Sequence, residues 1–151
     1  MGKAIEIRRA KIIAMIVATV ALLLGGSIYV AYRAETLLMF SWFPVLKSFR
    51  AFLRQHIALD GWPEWFLYAL PDGMWILSYL LVIGTIWDFR MKDCILLLLL
   101  MPVIAISSEI LQFFHLMHGT FDVYDLVFYT LFTAIGFYTI YYFNHQINKK
   151  L

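Results

Sequence analysis

Four long apolar runs, separated by short polar breaks, dominate the chain: 12–32, 73–89, 94–114 and 124–143. At a helical rise of ~1.5 Å per residue, a run of about 20 residues crosses a bilayer core of ~30 Å. The second run is the shortest and gains reach from Leu67 to Leu70 around Pro71. Pro102 inside the third predicts a kink between Leu98 and Pro102. Between the first two runs, residues 45–57 follow a different pattern. Lys47, Arg50 and Arg54 fall at i, i+3 and i+7 on one helical face, and Leu46, Phe49, Phe52, Leu53 and Ile57 make the other. Basic residues opposite aromatic and aliphatic ones mark a helix lying in the headgroup layer, where these three cations meet lipid headgroups. A helix packed on its neighbours with its charges in water is the other reading. The pattern predicts one all-α integral membrane domain over residues 1–151. It has four transmembrane helices and one extracytoplasmic interfacial amphipathic helix.

Composition agrees: 63% of residues are hydrophobic and only 15% are charged, where soluble domains run nearer half and a quarter. Charge sets the expected orientation. With the N-terminus cytoplasmic, Lys3, Arg8, Arg9, Lys11, Arg90, Lys92, Lys149 and Lys150 all fall inside. The loop from His115 to Asp122 carries no lysine or arginine and falls outside. Trp42, Trp62, Trp65 and Trp75 then sit near the outer interface and Trp87 near the inner one. A basic flank before an apolar core also describes a signal peptide. The run continues past Gly25-Gly26 and Ser27 to Tyr32 with no small-x-small site after it, so we read an uncleaved first helix. Asp60-Gly61 and Trp62-Pro63 mark turns. The net charge of +2 gives a nucleic-acid partner no electrostatic support. Cys94, the single cysteine, reads as a small apolar filler.

The chemistry concentrates between Ser107 and Asp125. Leu98, Pro102, Ala105, Glu109 and Gln112 share one stripe of the third run, and Asp125, Tyr129, Thr133 and Gly136 share one of the fourth. The short connection makes these helices antiparallel neighbours, so the stripes face each other. Asp72 opens the second run at the same level. An intramembrane carboxylate such as Glu109 is a functional candidate by default. Two carboxylates in a weakly solvated site do not both ionise readily. With no cation evident nearby, Glu109 and Asp125 are expected to share a proton, bridged by Gln112 or Tyr129. Asp122 three residues before Asp125 also reads as a helix cap. His115 and His118 are too sparse for a metal site, so no metal and no cofactor is expected.

Glu109-x-x-Gln112, a short loop with Gly119, then Phe121-Asp122-x-x-Asp125 and Gly136 inside the next apolar run resemble the VanZ-like bacterial membrane proteins. The match covers Ser107 to Gly136. Thr120 stands where the family usually has Arg, and Tyr129 where it usually has Asn. The resemblance implies a multi-pass protein of the bacterial cytoplasmic membrane, a place in the cell envelope and a link to resistance against the glycopeptide teicoplanin. It implies no cofactor.

Three functions stay open. One is a non-enzymatic protein that binds a membrane lipid or lipid-linked envelope precursor in an outer-leaflet pocket of Glu109, Gln112, Asp122, Asp125, Tyr129 and Asp72. Another is a membrane hydrolase or transferase with Glu109, Asp125 and His115 as its catalytic groups. The last is a small subunit of a larger membrane complex, with another membrane protein or further copies of itself as partner.

Overall fold

The computed structural model describes residues 2–57 and 61–149. Asp60 and Lys150 therefore lie outside the described residues. Six helices follow in order: α1 (Gly2–Tyr32), α2 (Leu38–Trp42), α3 (Val45–His56), α4 (Glu64–Ile86), α5 (Met91–Phe113) and α6 (Val123–Lys149). No strand occurs among the described residues. Four of the helices, α1, α4, α5 and α6, are long and apolar enough to cross a membrane. The chain is a multi-pass helical membrane protein. α1 and α6, at 31 and 27 residues, exceed the ~20 residues a bilayer core needs, so each carries extra turns beyond it. Those turns lie together. Ala10 of α1 and Ile147 of α6 share one buried cluster, which places the start of α1 and the end of α6 at the same end of the bundle.

α4 is the central helix, in contact with α1, α5 and α6. It buries residues around most of its circumference, from Leu67 to Thr85. α1 meets it through a stripe of small residues. Ala10, Ala14, Ala18 and Ala21 are all buried, and Gly25 sits so close that a Cβ there would lie 3.1 Å from the Pro71 carbonyl oxygen. Small residues bring backbones together where no hydrophobic force drives membrane helices to associate. α4 and α6 interlock through their glycines in the same way. A Cβ at Gly73 would strike Phe132, one at Gly84 would strike Ile140, and one at Gly136 would strike Leu80.

Several expected boundaries move. α4 starts at Glu64 and runs straight through Pro71, which is buried, instead of starting at Gly73. It stops at Ile86 because the chain there turns left-handed: Asp88 (φ 53°) and Phe89 (φ 60°) close the helix, with the Phe89 N–H donating to the Gly84 carbonyl. α5 keeps helical angles through Pro102, and its departure falls at Cys94 (φ −132°, ψ 15°). The expected kink at Leu98–Pro102 is thus replaced by a bend in the first turn. Nearby, the Tyr79 hydroxyl donates to the Leu97 carbonyl at 2.5 Å, one residue before the carbonyl that Pro102 deprives of its N–H partner. α6 continues past Phe143 to Lys149. The short α2 was not anticipated.

α3 packs on α1 and buries Leu53, while Phe49 and Phe52 stay exposed. Its arginines serve the neighbouring helix. The Nε atoms of Arg50 and Arg54 donate to the Ala31 carbonyl at 3.2 and 3.0 Å. They occupy one of the carbonyls that the end of α1 leaves open and add positive charge where the helix dipole is negative. Arg50 also pairs with Glu35. Of the three basic residues on α3, Lys47 alone is exposed without such a contact among the described residues.

Candidate functional site

The polar site forms where α1 ends, α4 and α6 begin, and α5 ends. Arg33, one residue beyond α1, reaches across to α4. Its Nη2 lies 3.3 Å from Asp72 Oδ2 and 3.4 Å from the Tyr68 carbonyl oxygen. Its guanidinium also lies over the Tyr29 and Tyr68 rings, 4.9 and 5.3 Å from their centroids. Tyr68 and Asp72 stand one turn apart on α4, so a single guanidinium engages both.

Asp72, Asp125 and Tyr129 lie close enough to Arg33 to interact electrostatically, and Glu109 lies close enough to those three to do so. The four come from three helices. This overturns the expectation that the acids have no cation near them. Arg33 had a legible signal: an arginine directly after a long apolar run stands at the edge of the bilayer core and calls for a partner. Its partner, 39 positions away in the chain, is visible only in the fold.

Glu109 is 4% exposed, and its Oε2 accepts the backbone N–H of Asp122 at 3.2 Å. The carboxylate thereby ties α5 to the start of α6, in place of the expected bridge to Gln112 or Tyr129. Asp122 caps α6. Its Oδ1 accepts the Tyr124 N–H at 2.8 Å, and its carbonyl takes the Leu126 N–H at 3.3 Å. Asp125 and Tyr129 are half-buried in the first turns of α6. The expected stripe on α5 is its buried face, with Leu98, Pro102 and Glu109 all inside. The α6 stripe, however, turns as much toward α4 as toward α5, since Gly136 sits against Leu80.

Gln112, one turn beyond Glu109, makes no described side-chain hydrogen bond to the acids. Its amide packs beneath Gly119, where a Cβ would lie 2.7 Å from Gln112 Cδ. Gln112, His115, Gly119, Thr120 and Phe121 line a shallow depression of about 360 Å³. His115 (φ 57°) is the left-handed residue that closes α5, with its N–H on the Gln112 carbonyl and the Leu116 N–H on the Leu111 carbonyl. It is exposed, as is His118, and no described hydrogen bond joins His115 to Glu109 or Asp125. Among the described residues, no three His, Cys, Asp or Glu side chains gather in a metal-holding group.

Two polar atoms at the site are buried without a protein partner: Arg33 Nε, a donor, and Asp125 Oδ1, an acceptor. Thr133 Oγ1, two turns along α6 from Asp125, is a third. Such atoms are few in folded proteins, and each calls for an explanation. Arg33 Nε is a donor and Asp125 Oδ1 an acceptor within one polar cluster.

No family model, no curated protein and no solved structure matches this chain.

Proposed function

We propose that the chain binds the polar head of a lipid-linked or amphiphilic molecule at the Arg33–Asp72–Asp125 cluster. The buried Arg33 Nε and Asp125 Oδ1, neither with a protein partner, carry the reading. A head that offers both an acceptor and a donor, such as a phosphate beside a hydroxyl or an amine, pairs with both atoms. Asp72 already balances Arg33, so a head of mixed polarity suits the cluster better than a bare anion. Tyr129, one turn along α6 from Asp125, adds a phenol. The positive-inside distribution of Lys and Arg supports placing this end at the outer leaflet, with both termini cytoplasmic. The likeness of residues 107–136 to VanZ-like proteins supports a bacterial envelope setting and a role linked to glycopeptide resistance. On this reading Glu109 and Asp122 hold the frame, and Asp125, Tyr129 and Arg33 meet the ligand. The exposed aromatic face of α3 rests in the headgroup layer beside the site.

The test is to purify wild type, Arg33→Gln and Asp125→Asn in mild detergent and to identify retained lipids by native mass spectrometry. One lipid class should stay with the wild type and fall about tenfold in each variant, the loss of one hydrogen bond to a charged group at ~1.4 kcal/mol. Helix content should be unchanged. Equal lipid retention by all three proteins refutes the proposal.

A further inference from the structure

The opposite end of the bundle carries a second feature, independent of the polar cluster. Between the start of α5 and the last turns of α6 lies a cleft of about 750 Å³. Its walls are apolar, from Met91, Ile95 and Tyr141, and its rim is polar, from Arg90, Lys92, Asp93 and Asn144. The turn before it is held rigidly. Asp88 and Phe89 both have positive φ, a conformation that costs a non-glycine residue ~1–3 kcal/mol. The Phe89 ring is fully buried, 5.0 Å from Phe143, and Asp88 pairs with Lys11 at 2.5 Å. These anchors turn the next residues outward, so Arg90 and Lys92 are exposed at the cleft.

The charges there are unbalanced. Arg90 pairs with Asp93 at 3.1 Å, but both are largely exposed, and such a pair is weak and exchangeable. Lys92 has no ion-pair partner among the described residues. One cation is left over once Asp93 is counted. The apolar wall runs on into the outward surface of the spans, where Leu96 is 81% exposed and Tyr138 68%. A cleft open to the acyl region, with surplus positive charge at its headgroup end, has the two-part chemistry of an anionic phospholipid.

We infer that this cleft is a binding site for an anionic phospholipid. The phosphate lies at Arg90 and Lys92, and an acyl chain lies along Ile95 and Tyr141. A surplus of one cation against an anionic headgroup corresponds to about a five-fold preference over a neutral headgroup.

Phosphatidylglycerol and phosphatidylcholine with the same oleoyl chains, each titrated into the full chain in mild detergent, test this by native mass spectrometry. Wild type should retain phosphatidylglycerol about five-fold better, and R90Q/K92Q, which leaves Asp93 without a counter-charge, should lose that preference and shift toward phosphatidylcholine. K92Q, which breaks no described ion pair, should lower the preference by itself and keeps the test decisive if the double variant does not fold. Equal retention by wild type, or an undiminished preference in the variants, overturns the inference. So does a dimer that cross-links through Tyr141→Cys, because the cleft's occupant is then a second copy of the chain. The native Cys94 is buried and stays silent in that experiment.

Discussion

At the scale of the residue, Glu109 acts as an acceptor as well as a charge. It receives the Asp122 N–H at the point where the chain enters α6. Glu109→Gln keeps an oxygen in place, so the thermal midpoint in detergent should stay near that of wild type. Glu109→Leu strands a backbone donor in a buried setting and should cost ~1–3 kcal/mol. Comparing the two by thermal unfolding separates the hydrogen bond from the charge, and equal losses would assign the effect to the charge. Gly119 is the matching case in the loop. Its φ of 138° and its contact with Gln112 leave no room for a Cβ. Gly119→Ala should destabilise by ~1–3 kcal/mol, and Gln112→Ala should restore only the steric part. Full rescue would mean that the backbone there is unstrained.

At the scale of the element, adjacent glycines in α1 have opposite roles. Gly25 faces α4 at contact distance, while a Cβ at Gly26 would meet nothing within 4 Å. Gly25→Leu should prise α1 from α4, with a loss of ~1–3 kcal/mol as for other overpacked sites. Gly26→Leu should leave thermal stability within about 0.5 kcal/mol. Equal effects would place the α1–α4 seam elsewhere. α3 is also two-sided. Leu53 is buried against α1, and Phe52 is 55% exposed. In bilayers, a spin label at Phe52 should contact lipid and one at Lys47 should contact water. A label at Arg50 should report protein, because that side chain is 13% exposed and bound to α1. Water contact at all three would detach α3 from both bilayer and bundle.

At the scale of the whole molecule, the start of α1 and the end of α6 lie at one end of the bundle and the loop between α5 and α6 at the other. The proposed orientation makes that loop extracytoplasmic. A membrane-impermeant thiol reagent should label Thr120→Cys in intact cells and leave Asn148→Cys unlabelled until the cells are opened. The reverse order would move the Arg33 cluster to the cytoplasmic side. Cys94 is 2% exposed and should not contribute to the signal.

Apolar run length identified the four membrane helices, and the spacing of basic against apolar positions identified the helix α3, because each is a property of neighbouring residues. The same is true of the buried stripe on α5 and of the cap at Asp122, since helical spacing sets which side chains share a face. Tertiary structure decided the rest. The central place of α4 rests on Phe132 and Ile140 of α6 fitting at Gly73 and Gly84 and on Leu80 of α4 fitting at Gly136, contacts whose partners lie far apart in the chain. Uniform hydrophobicity hid the alanine stripe of α1, because a lipid-facing side and a helix-facing side are equally apolar. The interior continuation of α4 through Pro71 depended on packing that outweighs the lost hydrogen bond. Above all, the Arg33–Asp72 pair joins two helices, and no spacing rule relates residues on separate helices. Local pattern could say where a charge lies along a span, but only the fold could supply the group that meets it.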